Sequence, residues 1–237
     1  INRIGKNIRD ITTADIRRYL AEYQEQKKIS KCSLDNQRRY LSAFFSWLCI
    51  EEFIVKNPML RIKKIKTDKV IKKPFSDVEV EKIRSACKNI KEKALVEFLL
   101  TTGCRVSEVA ALTVDNIDFA KNEAVVYGKG AKERKVYISD KAMFYLKKYL
   151  ESRRSFNVNL FVNRNNDVMT KQNIEVLVKK IGQRAEVNNV HPHRFRRTFA
   201  TNAINKGMKI QNVQAILGHS SLDTTMIYCN VNDDNVK

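Results

Sequence analysis

The stretch "VHPHRFRRTFAT", Val190 to Thr201, packs more chemistry into a dozen positions than any other part of the chain. Pro192 is placed to open a helix, because the first helical residue needs no backbone donor. On that helix His193 and Arg196 are three apart and share one face. Phe195 and Phe199, four apart, share another. A helix that packs its aromatics inward and directs His and Arg at one spot suits anion binding. All three histidines (His191, His193, His219) stand close together in sequence, among arginines. Histidine is the side chain that gains or loses a proton near neutral pH.

Three other segments break their local pattern in compatible ways. "KALVEFLLTTG" (Lys93 to Gly103) reads as an apolar helix that stops at Gly103, and Arg105 opens the next helix, "RVSEVAAL". Alone, Arg105 reads equally well as a capping or surface arginine. "EAVVYGKGAKERKVYIS" (Glu123 to Ser139) alternates, turns at its glycines and alternates again, the pattern of a β-hairpin with Lys129 at the tip. "LGHSSLDTTMIYCN" (Leu217 to Asn230) is a Gly-His turn followed by a short helix carrying Tyr228. A lone tyrosine normally buries its ring and hydrogen-bonds its hydroxyl, so by itself Tyr228 reads as a core plug. Taken together, His, Arg, Lys and Tyr without a cluster of carboxylates point away from two-metal phosphodiester chemistry. They point to metal-free attack on phosphate. Arginines would clamp the non-bridging oxygens, and tyrosine would attack covalently.

Composition agrees. The 237 residues carry a formal net charge of +19 and are 43% hydrophobic, so the chain can build a real core and favours a polyanionic partner, nucleic acid first. An anionic membrane surface is a weaker fit, since no basic helix carries a Trp/Phe face. No run approaches the length of a membrane span. The five cysteines (Cys32, Cys49, Cys87, Cys104, Cys229) are odd in number and widely spaced, against both a disulfide framework and a zinc site. A reducing, cytoplasmic setting fits, with nucleoid association on DNA. No secretory signal is visible, and without an initiator Met the chain is expected to be part of a longer protein.

Residues 1–65 read as all-helical. "TTAD" (Thr12 to Asp15) matches a capping box, with a helix to about Gln24. A second helix starts near Ser33, with Leu34, Leu41, Phe44, Phe45 and Leu48 at helical spacing. "RIKKIKTDKVIKK" (Arg61 to Lys73), stopping at Pro74, reads as a basic linker over 66–74. The second domain, 75–237, opens with the capping box "SDVE" (Ser76 to Glu79) and a helix to about Cys87. Further helices are predicted around 140–152, 171–185, 193–206, 209–217 and 221–228. The strand-like "LFVN" (Leu160 to Asn163) is a candidate partner for the hairpin. The fold expected is mainly α with a small antiparallel β-sheet.

"TTGCRVSEVAAL", "GKGAKERKV", "HPHRFRRTFAT" and "LGHSSLDTTMIY" resemble, in order and spacing, the four signature segments of the tyrosine recombinase (phage integrase) family. The compact hairpin and "LGHSS" look closest to its Xer and integron-like branch and to integrases of bacterial mobile elements. The resemblance covers nearly the whole chain, and residues 8–65 look like the family's helical, SAM-like core-binding domain. It implies a C-shaped clamp on DNA formed by that domain and the catalytic domain. It implies, too, that Arg105 and Arg196 are the catalytic arginines and His193 the partner of Arg196 in a His-x-x-Arg pair. Lys129 would protonate the leaving 5′ oxygen, His219 would hydrogen-bond the scissile phosphate, and Tyr228 would be the nucleophile. Glu108 would support the site. Arg197 stands where many members have a second histidine, and Cys104 where Leu or Met is usual; Cys104 reads as packing.

The activity so implied is site-specific cutting and rejoining of DNA through a 3′-phosphotyrosine and a Holliday junction, with no metal, ATP or other cofactor. Its partner would be double-stranded DNA bearing paired sites. The protein would work as a homo-tetramer in the synaptic complex and a monomer off DNA, with His193 or a nearby group taking the tyrosine proton. In the family a segment beyond the tyrosine docks on a neighbouring subunit. Only nine residues follow Tyr228, so this chain is expected to bind DNA but assemble weakly. Integration and excision of a mobile element is preferred to Xer-like dimer resolution. A type IB topoisomerase, with similar chemistry, and a non-catalytic DNA-binding factor are the remaining alternatives. Arg38, Arg39, Lys63, Lys64, Lys66, Lys132, Arg134 and Arg194 are the candidate DNA-binding residues.

Overall fold

The structure, a computed structural model, describes residues 5–66, 73–128, 133–153, 157–219 and 221–228. The chain divides into two compact units, residues 1–70 and 71–237. In the first, helix α1 (Thr13–Lys27) is capped by Thr12, whose hydroxyl accepts from the Asp15 amide while the Asp15 carboxylate accepts from the Thr12 amide. Asp15 also takes an ion pair from Lys6 and another from Arg18. The backbone bond from Thr12, then the bond from Lys6, hold its carboxyl far below the usual range. The helix runs past Gln24 because its stop is not a glycine: Lys28 adopts the left-handed conformation at φ 47°.

Helix α2 (Lys31–Ile50) begins earlier than the apolar spacing suggests, because Ser30 supplies the cap by accepting from the Ser33 amide. Ile16, Leu20, Leu34, Phe45 and Leu48 form the small core with Ile54 and Met59. The chain then returns along α2. The Asp35 carboxylate accepts from Arg38 at 2.7 Å and from the Ile65 amide at 3.0 Å, and Ile62 and Ile65 pack against the core.

In the second unit α3 (Asp77–Ser85) starts with the reciprocal Ser76–Glu79 cap. Helix α4 (Ile90–Thr102) is the centre of the large core. It is apolar almost all round, and Ala94, Leu95, Val96, Phe98 and Leu99 are buried. Helix α5 (Val106–Ala111) leads to a three-stranded antiparallel sheet of order β1-β2-β3: Ile117–Asp118, Glu123–Tyr127 and Glu133–Tyr137. Ala124 lies opposite Val136, and Val126 opposite Arg134. Successive strand residues point to opposite faces, so Arg134 shares the inner face with Val126 and Val136. The hairpin tip, including Lys129 and Lys132, lies outside the described residues.

After the sheet come α6 (Asp140–Ser152), α7 (Lys171–Arg184), α8 (Pro192–Asn205), α9 (Ile210–Leu217) and the short α10 (Asp223–Met226). The pairing expected for "LFVN" needs correction. The hairpin's third strand is β1, whereas Leu160 donates to the Leu112 carbonyl and Val162 bridges to Val168. The apolar run seals the core below α6, where Val162 donates to the Tyr149 hydroxyl, and its own tight turn supplies the strand partner.

Candidate active site

The C-terminus of α4 builds the first part of the site. Gly103 ends that helix at φ 59°, and a Cβ there would lie 2.5 Å from the Phe199 ring, so both the turn and the close packing of α8 need glycine. The turn delivers Arg105 to the start of α5. One turn later the buried Glu108 reaches back. Its carboxylate accepts from the Arg105 amide at 2.6 Å, from the Arg105 guanidinium at 3.0 Å and from Arg134 on β3 at 2.8 Å. One carboxylate thus sets two guanidinium groups side by side.

The next arginine comes from α8. Arg196 is 3% exposed and donates to the Gly103 carbonyl at 2.7 Å and the Leu217 carbonyl at 2.6 Å. It ties the end of α4 to the end of α9. Arg105 makes a matching bond to the Gly218 carbonyl at 2.9 Å. Gly218 is itself at φ 64°, with the Arg134 side chain 3.0 Å from where a Cβ would be. Burial, then the neighbouring Arg105, lowers Arg196 to about 10, which still leaves it charged at neutral pH. Among the described residues Nε and Nη1 of Arg134 are buried without a hydrogen-bond partner.

His219 follows Gly218. Its backbone N–H donates to the Gln214 carbonyl, and its own carbonyl accepts from the Gln214 side chain. Its Nδ1 lies 2.8 Å from the hydroxyl of Thr225 on α10. Burial first, then Arg196, Arg105 and Arg134, lower the imidazole to about 4, so it is neutral at physiological pH. The Tyr228 ring stacks on His219 with centroids 6.1 Å apart and packs against the small cluster of Ala200, Ala203, Val213 and Leu217. Arg197 is lowered chiefly by burial, is raised by the Tyr228 hydroxyl, and donates to the Lys73 carbonyl at 3.2 Å.

Three guanidinium groups against one carboxylate therefore surround a neutral imidazole and a phenol. That excess of fixed positive charge is a preorganised receptor for an anion, held by bonds that exist before any ligand arrives. Among the described residues no group of His, Cys, Asp and Glu could hold a metal ion.

The structure gathers Arg105, Glu108, Arg196, Arg197, His219 and Tyr228 at one place. His193 stands exposed on the first turn of α8, whereas Arg196 on the next turn is buried. Cys104 is 1% exposed and burial pushes its thiol up to about 11, as packing requires. Three candidate DNA-binding residues are engaged otherwise. Arg134 is largely covered and paired with Glu108, so it belongs to the site itself. The period-2 alternation of "ERKVY" already places it inward with Val136. Arg194 is paired with Glu79, bonded to the Pro74 and Asn188 carbonyls and stacked on Phe75, which fixes the start of α3 to α8. Arg38 is largely covered and paired with Asp35, while Arg39, Lys63, Lys64 and Lys66 are exposed. No local pattern in the sequence marks Thr225, whose partner His219 stands six residues earlier.

Known proteins resemble the chain along almost its whole length. The profile described as "Phage integrase family" matches residues 73–235, and that of "Phage integrase, N-terminal SAM-like domain" matches residues 1–54. The tyrosine recombinase XerC of Oceanobacillus iheyensis is 32% identical, the alignment covering 98% of this chain and 80% of that protein. The crystal structure of XerA recombinase matches 98% of this chain and 83% of its own at 27% identity and a TM-score of 0.65. The Tn1549 transposon integrase, solved in complex with a circular intermediate DNA, matches 100% and 90% at a TM-score of 0.80, and at 19% identity it speaks for the fold. On these matches the chain belongs to the phage integrase, or tyrosine recombinase, family of DNA recombination enzymes.

Proposed function

We propose that this protein exchanges strands between specific DNA sites, with Tyr228 as nucleophile. The observation that carries the reading is the meeting of Arg105, Arg134 and Arg196 beside the stacked pair His219–Tyr228. A scissile phosphate seated there would have its non-bridging oxygens held by Arg105 and Arg196, whose positive charge counters the negative charge added in the transition state. The Tyr228 oxygen forms a bond to phosphorus as the bond from phosphorus to the 5′ oxygen breaks. The tyrosine proton passes to His193 or a nearby base, and the 5′ oxygen takes a proton from Lys129. The phosphodiester is thereby kept as a 3′-phosphotyrosine, which a 5′ hydroxyl of the partner duplex can attack. No nucleotide hydrolysis is needed to balance the step.

Within that chemistry we assign the protein to integration and excision of a mobile element, acting as a homo-tetramer on paired sites and residing in the cytoplasm. The extra arginine of "HPHRFRRT", at Arg197, supports this role, since it adds positive charge close to Tyr228. The XerC relatives favour dimer resolution as the second reading. Recombination between plasmids carrying sites selected by binding separates the two: joining of a circle to a separate replicon supports integration, and reaction confined to two sites on one circle supports resolution.

The chemistry itself is tested on a nicked duplex that loses its 5′ end after cleavage. Without divalent metal, the wild-type protein is expected to form a denaturant-stable protein–DNA adduct, and Tyr228→Phe to form none. An adduct that survives in Tyr228→Phe, or none from the wild type, rejects the assignment.

A further inference from the structure

His219 is fixed at its backbone by Gln214 and at its ring by Thr225. Thr225 is fully buried, at 0% exposure, and is the single buried residue of α10. Its amide donates to the Leu222 carbonyl. The structure gives its hydroxyl one hydrogen-bond partner among the described residues, the Nδ1 of His219 at 2.8 Å. The groups facing the imidazole are Arg196 from α8, Arg105 at the start of α5, Arg134 from β3 and the ring of Tyr228. Burial, then the three guanidinium groups, disfavour a second proton on the ring, so His219 carries one N–H, and the question is which nitrogen bears it.

The Thr225 hydroxyl has one proton to donate and is out of reach of water. Were Nδ1 protonated, it would donate to Oγ1. The hydroxyl proton would then be buried with no acceptor among the described residues, and Nε2 would present a lone pair to the anion site. With the hydroxyl donating to Nδ1, both groups are satisfied and Nε2 bears the proton. We infer that Thr225 is a positioning residue, which donates to Nδ1 of His219 and so fixes the imidazole as the Nε2–H tautomer, ready to donate to a non-bridging phosphate oxygen. The threonine touches no substrate and acts only through His219. The inference rests on the reading of His219 as a phosphate ligand.

The test uses nitrogen-15 spectra of the histidine rings of the whole protein, with the His219 signals identified by their loss in His219→Gln. In the wild type at neutral pH, Nδ1 is expected in the unprotonated range and Nε2 in the protonated range. In Thr225→Val, a near-isosteric change that deletes the hydroxyl, the two tautomers should mix and the apparent pKa of the ring should move. Adduct formation on the nicked duplex should fall about tenfold with DNA binding retained. Thr225→Ser should restore both. A protonated Nδ1 in the wild type overturns the proposal, as does a Thr225→Val protein with unchanged tautomer and unchanged rate. A wild type that forms no adduct but shows the Nε2–H tautomer rejects the catalytic reading and leaves the Thr225 bond standing.

Discussion

The two halves of the site are anchored in different ways. The arginine half belongs to the large core. Glu108 is 4% exposed and Arg196 3%, most of α4 is buried, and each guanidinium is tied to a backbone carbonyl or a buried carboxylate. The tyrosine half hangs on a satellite. Tyr228 follows the four-residue α10, and its ring is packed by the small cluster of Ala200, Ala203, Val213 and Leu217. Helix α8 is common to both, since Phe195 lies in the large core and Ala200 in the satellite, with Arg196 between them. The difference separates two tasks. Charge stabilisation is most effective when its dipoles are set before the substrate arrives, and a nucleophile needs only to be placed once the phosphate is there. Damage to the arginine half should therefore cost stability and rate together, and damage to the satellite should cost rate with a smaller loss of stability.

The strongest challenge to that division is Arg196→Lys. Lysine keeps the charge but cannot donate at once to the Gly103 and Leu217 carbonyls with a planar fork. At least one buried acceptor loses its partner and the ends of α4 and α9 come untied. Adduct formation should fall by at least about 100-fold, the range for loss of a preorganised oxyanion ligand, and the melting temperature should drop as well. An unchanged melting temperature would mean that Arg196 serves catalysis without holding the scaffold. Glu108→Gln asks the same question from the other side. The amide cannot neutralise Arg105 and Arg134, whose guanidinium groups are left facing each other. Truncating a buried pair costs about 3–5 kcal/mol, and the partial exposure of Arg105 at 34% places this change at the lower end. The rate should fall about tenfold, less than for Arg196→Lys, because both arginines remain. The two readouts are calorimetric melting and adduct yield on the nicked duplex.

That division was only partly legible in the sequence. The arginine half announces itself through local rules. An apolar helix stops at a glycine, an arginine follows it, and Glu108 sits three residues further on, so each placement depends on a few neighbours along the chain. Arg134 was legible too, by strand alternation, but a positive charge next to the Gly-Lys-Gly turn reads first as a DNA contact. What decides the matter is Glu108, 26 residues away, and no spacing rule links them. Arg194 misled for the same reason, because its partner Glu79 is 115 residues away. The Thr225–His219 bond joins residues six apart, a separation that no helix or strand spacing marks. The pairing of Leu160 to Asn163 depended on where the core needed sealing, which periodicity does not encode.

Val213→Ala sharpens the satellite side of the comparison. Val213 is 0% exposed and sits in the cluster that carries the Tyr228 ring. Removing two methyl groups leaves a void worth about 2 kcal/mol in a well-packed core, and less where the neighbours are few and can close in. The expected result is a several-fold drop in adduct formation with DNA affinity unchanged and a melting temperature lowered by less than for Glu108→Gln. A loss of stability equal to that of Glu108→Gln would show that the satellite is part of the same cooperative core, and the division into two halves would fail.

The smallest effect expected is a dependence of stability on pH, and it arises where the halves meet. Burial and the three arginines lower His219 to about 4, against an ordinary value near 6.5. Between those limits the unfolded chain binds a proton at this position that the folded protein refuses. Folding stability from His219 is therefore complete above about pH 6.5 and is lost as the pH falls towards 4. The lowered carboxylates, Asp15, Asp35, Glu81 and Asp118, act in a lower window, since their contribution persists until the pH falls below their ordinary range. Half-burial of the ring and screening by solvent keep the effect small. Between pH 7.5 and 5 the wild type should lose about 2 °C more in melting temperature than His219→Gln, which cannot take the proton. Equal losses would mean that the imidazole titrates in the folded protein as it does in the unfolded chain. The arginine half would then not reach the tyrosine half electrostatically before DNA binds, and the meeting of the two would be the work of the substrate.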